Sequence, residues 1–175
     1  LIDVKIPSGV KYLGSAFNEC YYIKNVEIGD NIGEISNNLF AEVKELETLT
    51  LGNNYENVSE SAFNGLGGVK SLYIKDVESW IPVTCTNVFF MAENIYIDGK
   101  DITEITELSI SKETDFTANP TLFRRLTSLT EFKIAEGAED INYSVRDGVL
   151  YDSSITNIIK YPTAKTGEYV FPETV

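Results

Sequence analysis

Histidine is absent from this chain of 175 residues. Without an imidazole, neither a Ser-His-Asp nor a Cys-His arrangement can be assembled from its side chains. Cysteine is almost absent too: Cys20 and Cys85 form no Cys-x-x-Cys pair, which together with the missing histidine removes the usual structural zinc sites. Basic residues are scarce, 14 Lys and Arg against 27 Asp and Glu for a formal charge of −13. Nucleic acid and anionic membrane surfaces both select basic patches, so neither is an expected partner. Long apolar runs are missing as well. The longest, Val88 to Ala92, falls far short of the ~20 residues of a membrane-spanning helix, and no signal-peptide pattern is present. Direct membrane insertion of this segment is therefore not expected.

Glycine is present but is not gathered into a phosphate-binding loop. Asn64-Gly65-Leu66-Gly67-Gly68 lacks the Gly-x-x-x-x-Gly-Lys-[Ser/Thr] spacing, and Asp98-Gly99-Lys100-Asp101 lacks the spaced ligands of an EF-hand loop. Carboxylates are plentiful enough for a glycosidase pair, yet no pair is marked by its surroundings as buried or perturbed. The reading is that of a non-enzyme, with no catalytic residue, cofactor or metal ligand assigned.

What the chain does have is a repeated apolar signature. Val4-Lys5-Ile6, Val26-Glu27-Ile28, Leu49-Thr50-Leu51 and Leu72-Tyr73-Ile74 alternate as short strands with one buried face, their last members 22, 23 and 23 residues apart. A second apolar group follows each of the first three strands, with phenylalanines at 17, 40 and 63, and a third group closes each unit at Cys20, Val43 and Leu66. No unit of this size can bury its apolar side alone, so neighbours must stack and share a core. Cys20 then reads as a small buried hydrophobe, and its distance of almost three units from Cys85 argues against a disulfide. Phasing returns at Leu108-Ser109-Ile110 and Phe132-Lys133-Ile134, 24 residues apart.

Two longer intervals each contain an Asp-Gly pair, Asp98-Gly99 and Asp147-Gly148, whose tolerance of positive φ suits a tight hairpin. The expectation is a hairpin from Ile95-Tyr96-Ile97 into Ile102, and a meander from Tyr143-Ser144-Val145 through Val149-Leu150-Tyr151 to Ile158-Ile159-Lys160-Tyr161. A rival phasing makes Ile97 the next repeat strand, 23 residues after Ile74, and both readings stand at this point. The chain is read as a single domain over residues 1–175, with an irregular insert at about 76–106 and a hairpin insert at about 141–166. It opens almost on a strand and stops just after Phe171-Pro172, which reads as a segment of a longer protein.

Val-Lys-Ile-Pro-Ser-Gly-Val-Lys-Tyr-Leu-Gly-Ser-Ala-Phe-Asn-Glu-Cys, residues 4–20, resembles the BspA-type leucine-rich repeat: a strand ending in Ile-Pro, a Val, an Ile-Gly, an Ala-Phe and a Cys. Residues 143–152, Tyr161-Pro162 and Tyr169-Val170-Phe171-Pro172 resemble its hairpin-containing variant. Asp76-Val77-Glu78-Ser79-Trp80, followed by Ile95-Tyr96-Ile97-Asp98-Gly99-Lys100, is similar to another insert of the family. Gly29 and Gly52 stand where the family's proline is usual, Val43 and Leu66 stand in the Cys position, and Trp80 to Ala92 fits no regular unit. The resemblance implies a β-rich leucine-rich-repeat solenoid, in the α/β class by analogy, right-handed, with a parallel sheet on one face and β-hairpin inserts. It also implies a cell-surface or secreted protein that binds host, bacterial or matrix proteins.

A recognition site is expected on the outward members of the strands, where parallel rows can present many weak contacts. The candidates are Lys5, Glu27, Thr50, Tyr73, Ser109 and Lys133. Tyr73 stands out because an aromatic amid small polar neighbours supplies contact area at low entropic cost, although strand propensity also places tyrosine there. The aromatic inserts, Trp80, Phe89, Phe90 and Met91 with Tyr143, Tyr151, Tyr161 and Tyr169, form a second surface. They would serve carbohydrate binding if exposed, or form a private core if buried. A spacer role for another domain is the third reading. Asn57-Val58-Ser59 and Asn142-Tyr143-Ser144 match the glycosylation sequon, which matters only in a eukaryotic secretory host.

Overall fold

The structure is a computed structural model that describes residues 2–85, 87–138 and 141–175. In chain order its strands are β1 (Ile2–Ile6), β2 (Tyr12–Leu13), β3 (Ile23–Ile28), β4 (Glu34–Ile35), β5 (Leu46–Leu51), β6 (Asn57–Val58) and β7 (Val69–Ile74). Helix α1 (Asn87–Met91) precedes β8 (Ala92–Ile97), β9 (Lys100–Asp101) and β10 (Glu107–Ile110). Helix α2 (Pro120–Arg125) precedes β11 (Glu131–Ile134), β12 (Tyr143–Arg146), β13 (Val149–Asp152) and β14 (Ile158–Lys160).

The alternating triplets become the main sheet, ordered β1-β3-β5-β7-β8-β9. Its first five strands are parallel and in register, so that Val4, Val26, Leu49, Leu72 and Ile95 form one row and Ile6, Ile28, Leu51, Ile74 and Ile97 another. The side chains of a strand alternate between faces, which turns these two rows toward the core. Behind the sheet, Phe40 stacks on Phe17 and Phe63 with ring centroids 5.4 and 6.2 Å away. A short parallel ladder, β2-β4-β6, crosses the same three repeats. Gly52 shows why glycine replaces proline after β5: a Cβ there would lie 2.6 Å from Asp30 Oδ1 and 2.7 Å from the Gly29 carbonyl carbon.

Pairing of Ile97 with Ile74 decides the phasing that the sequence leaves open. β8 is a strand of the main sheet, and the hairpin is built upon it, because β9 returns antiparallel with Ile97 opposite Lys100. Asp98 and Gly99 make the turn with φ of 47° and 78°. The expectation that Trp80 to Ala92 fits no unit is corrected. Ile81, Cys85, Phe89 and Ala92 each stand 23 residues after Val58, Ala62, Leu66 and Val69, and all four are buried. Cysteine replaces alanine and phenylalanine replaces leucine there, while α1 replaces an irregular turn, so the buried positions persist though their residue types change. Trp80 fills the space between Tyr55 and Phe89, edge-on to both at 5.4 and 5.7 Å.

Beyond the main sheet, β10 and β11 pair in parallel. The expected meander is present as β12-β13-β14, antiparallel throughout, with Asp147 and Gly148 turning at φ of 46° and 76°. One continuous cluster of buried apolar side chains runs from Ile6 to Leu150. Among the described residues, no helix is long and apolar enough to cross a membrane.

Candidate functional site

The outward members of the main-sheet strands lie in two rows. Lys5, Glu27, Thr50, Tyr73 and Tyr96 form one, and Asp3, Asn25, Thr48, Ser71 and Asn94 the other. Neighbouring strands stand about 4.8 Å apart, so each row is a ladder of side chains close enough to touch. The polar end is laterally satisfied. Lys5 Nζ lies 2.8 Å from Glu27 Oε1, Asn25 Nδ2 donates to Asp3 Oδ1 at 2.7 Å, and Thr48 Oγ1 donates to Asn25 Oδ1 at 2.8 Å. Between these rows runs a shallow groove of about 280 Å³ lined by Asp3, Lys5, Asn25, Glu27, Thr48 and Thr50.

At the other end the character changes. Tyr73 and Tyr96 stack with ring centroids 5.0 Å apart and planes 17° from parallel, and Tyr73 keeps 37% of its surface exposed. The pair is an aromatic platform fixed by two strands, so little rotamer freedom remains to be lost on binding. Tyr96 was missed as a candidate. Its signal was the 23-residue step from Tyr73, visible only in the phasing that makes Ile97 a strand.

Lys5, Glu27, Thr50 and Tyr73 are thus brought into one row. Ser109 and Lys133 are not: they pair with each other in the separate β10-β11 sheet. Lys133 forms ion pairs with Glu107 and, at 3.4 Å, with Glu131. Its hydrogen bond to Glu107 is the main cause of an ammonium pKa above the ordinary lysine value.

The aromatic inserts divide by burial. Trp80, Phe89 and Tyr151 are buried and Phe90 is exposed, while Met91 and Tyr143 are half-buried. The Tyr143 hydroxyl donates to Thr114 O and accepts from Thr114 N at 3.2 Å, and its pKa is raised chiefly by desolvation. Tyr169 packs edge-on to both Tyr161 and Phe171, and its hydroxyl lies 2.6 Å from that of Tyr151. The carbohydrate reading therefore loses Trp80 as a sugar-stacking surface.

Both cysteines are free thiols. Burial pushes the Cys85 thiol pKa up, the opposite of what a reactive thiolate requires. Asp152 is held well below the usual carboxylate range, first by hydrogen bonding with Asn157 and further by Thr156. Both partners belong to its own turn, so the carboxylate is occupied in shaping the loop.

Residues 1–100 match the family model of the BspA type leucine rich repeat region, in 6 copies. The chain belongs to the BspA-type leucine-rich-repeat family. Comparison with curated proteins finds no match, and comparison with solved structures finds none. Leucine-rich repeats are in general non-catalytic modules of protein interaction, and their stacking supplies an extended surface for that purpose.

Proposed function

We propose that residues 1–175 form a single right-handed leucine-rich-repeat solenoid whose main-sheet face is a protein-binding surface, in an adhesion module of a cell-surface or secreted protein. Right-handedness is supported by the near-universal hand of crossovers between parallel strands of one sheet. The observation that carries the binding reading is the stacked Tyr73–Tyr96 pair standing at the end of the row that begins with the Lys5–Glu27 ion pair. Tyrosine is a favoured anchor at interfaces because it joins a large apolar area to a polar tip. Lys5, Glu27 and Thr50 continue the surface along the same row, and Ser109 and Lys133, on the separate β10-β11 sheet, are a second candidate contact. The charge of −13 favours a partner with a basic contact face.

A binding screen of the chain against extracellular-matrix proteins and a glycan array tests this. Saturable protein binding is expected, weakened at least roughly tenfold by Tyr73→Ala with Tyr96→Ala, since truncating a hot-spot residue, a class enriched in tyrosine, costs about 2 kcal/mol or more. Folding of the double variant is checked by circular dichroism. Binding unchanged by the double substitution removes the sheet-face site. Glycan binding alone would favour the carbohydrate reading, and no binding by the folded chain would favour a spacer.

A further inference from the structure

The ladder β2-β4-β6 ends unlike the main sheet. In it, three N–H groups of one repeat donate to three carbonyls of the repeat before. Gly33, Glu34 and Ser36 donate to Val10, Lys11 and Leu13 at 3.0, 3.0 and 2.9 Å. Glu56, Asn57 and Ser59 then donate to Ile32, Gly33 and Ile35 at the same three distances. One further step of 23 residues assigns the next donors to positions 79, 80 and 82, and the next acceptors to Tyr55, Glu56 and Val58. The chain supplies none of the three. Ser79 N–H donates to Asp76 Oδ1 at 2.7 Å, Trp80 N–H donates to Val77 O at 2.9 Å, and residue 82 is proline, which has no N–H.

Among the described residues, no donor reaches the carbonyls of Tyr55, Glu56 or Val58. Asn57 and Ser59 turn their N–H groups toward β4, so by strand alternation the Val58 N–H points away from it. Where a fourth strand would lie, there is instead a groove of about 350 Å³, with Tyr55, Glu56 and Val58 on one wall and Pro82, Thr84 and Lys112 on the other. A smaller hollow beside it is lined by Asn53 and Trp80, and these two carry buried polar atoms, Asn53 Oδ1 and Trp80 Nε1, that have no partner.

We propose that this groove binds an extended basic peptide, which adds as the next strand of the ladder through its own backbone N–H groups. Strand addition to an unpaired edge draws its affinity from main-chain hydrogen bonds and its selectivity from the flanking side chains. Glu56 and Val58, two residues apart, fit successive donors of an extended strand, and Tyr55 fits the donor at the bend before it, the place that Gly33 and Glu56 take in the two preceding steps of the ladder. The site is distinct from the main-sheet face. Charge selects the guest: Glu56 lies in the wall, Glu34 one strand back, and Glu113 and Asp115 beside Lys112, on a chain of net charge −13.

The test is a titration of the whole chain with a short peptide alternating lysine and valine, beside its twin N-methylated at the groove-facing amides, followed by amide NMR. The unmethylated peptide is expected to shift the Val58 and Thr84 resonances and to slow hydrogen exchange at the Val58 N–H. The methylated twin keeps charge and side chains but loses donors, and is expected to bind at least roughly tenfold more weakly, about 1.4 kcal/mol. Thr84→Trp fills the groove without touching the ladder and is expected to abolish the shifts. Equal binding of the two peptides, no binding of either, or full binding to the folded Thr84→Trp variant would each overturn the proposal.

Discussion

Asp30 shows how one side chain ties distant repeats together. Its Oδ2 lies 2.6 Å from Lys75 Nζ, and its Oδ1 accepts from Asn53 N at 2.9 Å. The hydrogen bond with Lys75, then that with the Asn53 N–H, lowers its pKa below 3.8. A depressed folded-state pKa contributes stability that is present above the unfolded value and is lost as pH falls through the folded one. Asp30→Asn should therefore reduce stability most at neutral pH, by an amount that shrinks as pH falls through and below the ordinary carboxylate range. Denaturant melts of the variant and the parent across that range check the sign. A difference of the same size at both ends would show that the carboxylate charge contributes nothing. Tyr96 makes the complementary point, since it belongs to the site only because its strand pairs beside that of Tyr73.

At the scale of elements, the two Asp-Gly hairpins share a turn but not an environment. Gly99 and Gly148 have φ of 78° and 76°. A Cβ on Gly99 would meet nothing within 4 Å, whereas one on Gly148 would lie 2.6 Å from the Glu131 Cβ. The second turn is pressed onto β11, where Gly148 O accepts from Phe132 N at 2.8 Å. Gly99→Ala should cost only the left-handed strain, about 1 kcal/mol. Gly148→Ala should cost more, ~2–4 kcal/mol, because backbone must move as well. Thermal melts of the two variants separate strain from collision, and equal losses would mean that the hairpin does not dock on β11 in solution.

At the scale of the whole molecule, the buried side chains form one connected cluster from the first repeats to the meander. Repeat proteins unfold cooperatively while the coupling between neighbours exceeds the instability of each unit. Phe40 sits fully buried between Phe17 and Phe63, so Phe40→Ala should destabilise by ~3–5 kcal/mol through lost burial and a cavity. Trp80 lies in a later repeat, and its fluorescence should report the same shifted midpoint as far-UV circular dichroism. Two separated midpoints would show instead that the repeats and the meander are independent folding units.

The repeat interval, the inward rows and the Asp-Gly turns were legible in the chain because each rests on local chemistry: alternation places apolar side chains on one face, and glycine tolerates positive φ. Lys5, Glu27, Thr50 and Tyr73 could be placed in one row from spacing alone. Local chemistry could not place Trp80 to Ala92, where Cys85 and Phe89 occupy repeat positions with altered residue types and only stacking on Ala62 and Leu66 reveals the register. Nor could it separate Ser109 and Lys133 from the main row, since strand alternation does not say which edge a strand joins. Pro82 is legible as a missing donor, but the groove it leaves beside β6 exists only because neighbouring repeats hold its two walls apart. Tertiary pairing decided those features, because each depends on which chain segments become neighbours across a repeat.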